Sequence, residues 1–271
     1  MSIKSFFKLE EKGTSVKTEM IAGVTTFMTM AYVMAVQPSA IVGFSGNSYT
    51  DINGVVINKE AVMVTCAVVS AIITLFMGLY ANLPFALATG MGTNFMFGGL
   101  IQSNTLSFGA VMSITLVSGI IFVLLTIFGV RDLIVKAIPK NIKIGIGTAI
   151  GFYITYLGFK NSGIGNFENG ITFGSLKDPA VLLAIAGLLL IAILTVYKVN
   201  GAILIGIVAI TIIGIPLGVT KVPETIAKVP DFRGLSNIMF EFDFKALLSF
   251  QTIVYVFIAF CGDFFSRLCS G

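Results

Sequence analysis

From Ala61 to Val130 the chain contains no Asp, Glu, Lys or Arg, and another uncharged stretch runs from Met20 to Thr50. Stretches like these cannot cover a water-soluble domain, where about a quarter of the residues are charged. A bilayer core roughly 30 Å thick takes about 20 apolar residues of helix to cross, so the longer stretch has room for about three crossings. The whole chain agrees: 56% of its residues are hydrophobic, 11% are charged, and the mean hydropathy is +0.98. The expected class is an all-α polytopic membrane protein.

Hydropathy and breaker residues place a first span at 19–42, a second at 60–81, a glycine-broken segment at 84–101 and a fourth at 107–130. An amphipathic piece from Arg131 to Lys143 leads into a fifth span at 143–159. Asp178-Pro179 opens the sixth, with proline in the first turn, where its missing N–H costs nothing. That span runs to Tyr197, a seventh covers Gly201 to Val219, and an eighth starts near Ala246 after a polar stretch. About eight spans result. With the N-terminus cytoplasmic, nine Lys/Arg fall inside and seven outside, a modest bias; the basic cluster 131–143 supports an even number of crossings before it, whereas a re-entrant 84–101 would put that cluster outside. The broken segment therefore counts as a full crossing. The expected location is the cell (plasma) membrane, multi-pass, with a lipid bilayer as surroundings.

Several function classes are excluded. The net charge of +4 comes from 17 basic and 13 acidic residues in loops, with no concentrated basic face for nucleic acid. There is no histidine, and Cys66, Cys261 and Cys269 form no Cys-x-x-Cys pair. Metal, cofactor and enzyme signatures are absent, and the cysteines read as small apolar fillers.

The broken segment, PFALATGMGTNFMFGGL from Pro84 to Leu100, is apolar but a poor helix. Each glycine lowers helix stability by about 1 kcal/mol relative to alanine. Gly90, Met91, Gly92, Thr93 and Asn94 are expected to run extended, with a half-helix resuming after them. Freed N–H groups would then meet a solute near mid-membrane, since short glycine-interrupted segments point to transporter binding sites. The competing reading is that the glycines only allow close helix packing. Asn94 favours the first, because a mid-span amide needs partners. In the first span Thr25, Thr29 and Tyr32 share a helical face, with Phe27 alongside. Their hydroxyls and ring suit a flat neutral ligand, although threonines in spans also bond back to their own helix. Asp263 follows an uncharged run from Ala246 to Gly262. Acids inside spans mark ion or substrate pathways, so Asp263 is the expected proton carrier, unless it lies at the membrane boundary.

These are also the residues at which a family becomes recognisable. The run Thr18-Glu19-Met20-Ile21-Ala22-Gly23-Val24-Thr25-Thr26-Phe27 resembles the AzgA-type purine permeases of the nucleobase–cation symporter-2 group. Met77-Gly78-Leu79-Tyr80-Ala81-Asn82-Leu83-Pro84, Gly90-Met91-Gly92-x-Asn94, Ala137-Ile138-Pro139-Lys140 and Lys198-Val199-Asn200-Gly201 are similar to the same family. The resemblance implies proton-coupled uptake of purine nucleobases such as hypoxanthine, guanine or adenine. It also implies the first repeat of a seven-plus-seven inverted-repeat fold with a discontinuous third span. The implied division is a cytoplasmic segment 1–17, core-domain spans 18–130, gate-domain spans 131–220, an extracellular amphipathic linker 221–245, and the start of a second repeat at 246–271. Asn94 matches the family's third-span asparagine, and Asp263 the first acid of its eighth-span Asp-x-Phe-Asp-Thr motif.

Here that motif reads Asp263-Phe264-Phe265-Ser266-Arg267, and the rest of the second repeat is not in the sequence. A truncated or frameshifted reading frame is therefore expected. The alternative function is a transport-inactive fragment or partner subunit of such a permease. A possible homodimer would pair two first repeats in antiparallel sense, which the positive-inside bias disfavours. Anion transport is a further alternative, weakened by the lack of basic residues in the cores of 19–42 and 84–100.

Overall fold

The computed structural model describes residues 6–44, 46–166, 172–220 and 233–269. Nine helices are followed here: α1 (Val16–Val42), α2 (Lys59–Tyr80), α3 (Met91–Gln102), α4 (Phe108–Ile127), α5 (Val130–Ala137), α6 (Lys140–Asn161), α7 (Pro179–Val196), α8 (Ala202–Gly214) and α9 (Phe250–Cys269). Two short antiparallel hairpins join them, β1 (Ser48–Thr50) with β2 (Val56–Asn58) and β3 (Gly165–Asn166) with β4 (Thr172–Phe173). By length and composition α1, α2, α4 and α7 could each cross a membrane, and α8 and the first part of α9 are shorter apolar helices. The protein is thus mostly helical and of membrane type. Its long helices keep large aliphatic side chains on their outer surfaces, such as Ile120, Val123 and Ile127 of α4.

Three sequence expectations need correction. The expected all-α chain contains two hairpins; the first turns at Asp51-Ile52-Asn53-Gly54, where Gly54 has φ 83°, and Asn-Gly is a hairpin signal. The seventh span is a helix only over Ala202–Gly214. The piece 131–143 divides at Pro139, with α5 ending at Ala137 and α6 starting at Lys140. Within the expected linker 221–245, residues 221–232 lie outside the described residues, and short 3-10 turns cover Arg233–Leu235 and Lys245–Leu248.

The chain divides into two compact units. One comprises residues up to Val36, Thr65–Thr89 and Phe159–Val229. In it α7 packs against α8 through glycines: a methyl at Gly187 would stand 3.0 Å from Ile210, and one at Gly206 would collide with Ile191. Small residues at such crossings let helix backbones approach where lipid offers no hydrophobic driving force. The other unit comprises Gln37–Val64, Gly90–Gly158 and Pro230–Gly271. Its core gathers Ile57, Ala61, Phe97, Ile101, Ile114 and Ala259, and α9 packs on α4 and α3.

The second unit is fastened by Asp51, which is 5% exposed. Its Oδ1 accepts the N–H groups of Asn53 (2.9 Å) and Val55 (2.8 Å), closing the hairpin turn. Its Oδ2 accepts the N–H of Phe108 (2.8 Å), the first residue of α4. One carboxylate thereby ties a loop to a helix N-terminus, where N–H groups lack partners within the helix and the dipole favours negative charge.

Candidate functional site

The break expected in the third span is present. After α2 ends at Tyr80, residues 82–90 run without helix, turn or bend, and Gly90 has φ −70° and ψ 129°. The boundary is earlier than expected: α3 starts at Met91, so Met91, Gly92, Thr93 and Asn94 form its first turn rather than an extended run. Gly90 is the residue at which extended backbone gives way to helix, and it offers no capping side chain. The positive end of α3 therefore has no cap from the side chain of its N-cap residue.

The main chain of the extended segment is held from one side. Thr74 of α2 uses one hydroxyl twice, accepting from the Leu87 N–H at 3.0 Å and donating to the Leu87 C=O at 3.3 Å. Leu87 thus addresses α2 with both its N–H and its C=O. Among the described residues the main-chain groups of Ala86 and Ala88 have no hydrogen-bond partner. Cys66, a buried filler as expected, lies 3.6 Å from the Thr89 hydroxyl.

A groove of about 700 Å³ lies within the same unit. Its walls are one face of α1, including Thr26, Phe27 and Met30, the small residues Ala67, Ser70 and Ala71 of α2, and the extended residues Leu83 to Leu87. Phe27 is thus beside the broken segment. Thr25 and Thr29 are not among the groove-lining residues; Thr25 donates back to the Ile21 carbonyl at 2.9 Å and Thr29 to the Thr26 carbonyl at 2.7 Å. Both hydroxyls donate to carbonyls of their own helix and keep their acceptor lone pairs.

In the other unit Asn94 has the partner that a mid-span amide requires. Its Nδ2 donates to Oε1 of Gln37 at 2.6 Å, and Gln37 is 6% exposed. Sequence reading missed Gln37, although an amide next to Pro38 in an uncharged stretch was a visible signal. The start and middle of α3 approach neighbouring backbone closely. A methyl at Gly98 would collide with the Ala40 carbonyl, and one at Gly262 of α9 would stand 2.7 Å from Cγ2 of Thr93. Asp263 is the next residue of α9; its backbone is helical, and its side chain lies outside the described part of the structure. The fold therefore brings residues 90–94 and the α9 turn leading to Asp263 together in one unit, and Phe27 and the extended segment together in the other.

A mostly helical chain of membrane type, with non-helical backbone at 82–90 leading into α3, is the class that this geometry defines. The Permease family, whose model is named Xan_ur_permease, matches residues 17–262, and the chain belongs to that family. It is 36% identical to the guanine/hypoxanthine permease PbuG of Bacillus subtilis over 232 residues, 84% of this chain and 52% of that protein. With the adenine permease AdeP of Escherichia coli the identity is 38% over 219 residues, 80% of this chain and 47% of the relative. A second Escherichia coli adenine permease, AdeQ, is 31% identical over 94% of this chain and 55% of its own length. The chain spans about half the length of the curated relatives it matches.

Proposed function

We propose that this chain serves proton-coupled uptake of purine nucleobases of the hypoxanthine, guanine and adenine class across the cell membrane, in the manner of a symporter. The observation that carries the reading is the pair of main-chain edges at Ala86 and Ala88, without partners among the described residues, in a chain whose relatives are named for guanine, hypoxanthine and adenine. In hydrocarbon an unpaired peptide group costs several kcal/mol, so irregular backbone persists only where it is buried in protein or lines a cavity. A flat base with alternating donors and acceptors at its edge can satisfy such groups, and the ring of Phe27 offers a face to stack on.

In this reading Asn94 and the α3 N-terminus contribute polar groups for the base within their own unit, with Gln37 orienting the amide. Asp263 carries the proton. Protonation and base binding then bias one inward/outward equilibrium, each through its differential affinity for the two states. The proposed arrangement keeps the cytoplasmic N-terminus, about eight spans, the core, gate and linker segments and the inverted repeat implied by family resemblance. Uptake of radiolabelled hypoxanthine, guanine and adenine in a purine-transport-deficient cell, with and without a proton uncoupler, tests it. Uptake that survives the uncoupler removes the proton, and none of any base removes the substrate class for the chain acting alone.

A second reading is favoured by the fraction of each relative that the chain matches: it supplies one part of a permease and transports nothing by itself. It predicts base uptake only when the chain is extended to the relatives' length or expressed with the remaining portion.

A further inference from the structure

A smaller cavity of about 330 Å³, lined by residues that include Phe7, Lys12, Val16 and Asn82, lies beside the groove within the same unit. Glu19, Gly78, Leu83 and Pro84 line both cavities and so mark the border between them. Glu19 is the one charged residue among those lining the groove itself. Its carboxylate has no hydrogen bond or ion pair among the described residues. Lys12, which lines the smaller cavity, is engaged elsewhere: its Nζ donates to the Asn82 carbonyl at 2.7 Å and to Asn82 Oδ1 at 3.1 Å. A carboxylate offers only acceptors, so the partner it can take is a group that supplies donors.

A second group points into the same space. Ser70 is 7% exposed and lines the groove, and its hydroxyl has no partner among the described residues. Ser70, Thr74 and Gly78 follow one another at four-residue steps down one face of α2, and from Ser70 to Gly78 the helix rises about 12 Å. The hydroxyl and the border residue Gly78 are therefore too far apart to hold the same edge of one base, and can reach only different edges.

We propose that Glu19 is a specificity-determining carboxylate at the border of this groove, and that Ser70 holds the same base by an edge that all the bases present. The inference rests on the nucleobase reading and extends it to which base is preferred. Two carboxylate oxygens accept two parallel N–H donors, the arrangement in which charge-assisted bonds are strongest. Guanine presents such a pair in its ring N1–H and adjacent amino group. Adenine in its common tautomer has an acceptor nitrogen next to its amino group, so only one donor meets the carboxylate and a lone pair faces the other oxygen. Glu19 thus favours guanine-like edges over adenine-like ones. A first-turn acid also interacts favourably with the helix dipole, but that role affects stability and has no base preference.

The test is equilibrium binding of radiolabelled guanine and adenine to the full chain in lipid nanodiscs, compared among wild type, Glu19→Gln and Ser70→Ala. Glu19→Gln should weaken guanine about tenfold and adenine by less than about twofold, the effect of losing one charged hydrogen bond. Ser70→Ala should weaken both by a similar factor of about three to five. An unchanged guanine-to-adenine ratio in Glu19→Gln overturns the assignment, even if its melting temperature falls. If wild type binds neither base, the nucleobase reading fails and takes this inference with it, an outcome distinct from normal binding that ignores Glu19. Should Glu19→Gln fail to purify as a monodisperse species, Glu19→Asp keeps the charge but withdraws it by one methylene. That variant must then shift the same ratio in the same direction, or the assignment falls.

Discussion

Thr74→Val is the sharpest perturbation of the broken segment, because valine keeps the shape of threonine and removes only the hydroxyl. In the structure that oxygen accepts from the Leu87 N–H at 3.0 Å and donates to its carbonyl at 3.3 Å. Leaving a buried donor or acceptor unpaired costs about 1–3 kcal/mol per group. The longer bond belongs at the low end, and hydrogen bonds measured between membrane helices average only about 0.6 kcal/mol. The expected sum is about 2 kcal/mol, a shift of about thirtyfold in the population of correctly seated segment. Binding of a base to that segment should weaken by about the same factor, and the melting temperature in detergent should fall by about 4–8 °C. Thr74→Ser restores the hydroxyl and should recover most of both losses. Parallel thermal melts and hypoxanthine binding on the three proteins provide the measurement. If Thr74→Val melts and binds like wild type, the clasp does not hold the segment and the account of its exposed edges at Ala86 and Ala88 is wrong.

Other outcomes follow from the same geometry. Gly98→Ala puts a methyl into the Ala40 carbonyl and should lower stability by about 1–3 kcal/mol, visible as loss of monodisperse protein by size-exclusion chromatography. Asp51→Asn turns one of two accepting oxygens into a donor facing N–H groups, so it should be about as damaging as Asp51→Ala, at about 2 kcal/mol or more; a melting temperature equal to wild type would contradict this. Asn94→Ala leaves the buried Gln37 oxygen without its donor and should raise the dissociation constant for hypoxanthine about tenfold. In the protein extended to its relatives' length, uptake should rise as external pH falls, because protonation favours the carrying state. Asp263→Asn should flatten that pH profile, and an unchanged profile would remove Asp263 from proton coupling.

Much of this protein was legible in one dimension because the bilayer makes composition a direct constraint. The uncharged runs Met20–Thr50 and Ala61–Val130 can be placed only in hydrocarbon or in a protein core. Gly90 and Pro84 forecast a break that the structure bears out, since backbone entropy and a missing N–H act locally. The N-terminus of α7 was equally readable: Asp178 accepts the Ala180 N–H at 2.9 Å with Pro179 behind it.

Other features required the folded chain. Nothing local in Thr74 predicts that it clasps Leu87, nor in Asp51 that it ties a hairpin to α4 some 57 residues further on. Those bonds exist because elements distant in sequence are packed side by side, and their geometry is a property of the packing. The start of α3 was misjudged for the same reason. Helix propensity puts Gly92 outside a helix, whereas contacts of Thr93 with Gly262 and of Asn94 with Gln37 hold that turn in one. Sequence alone determined the solvent this chain requires and where its backbone must break. Tertiary structure decided which side of the broken segment is clasped and which is left open to a partner, because hydrogen-bond direction is set only once neighbours are in place.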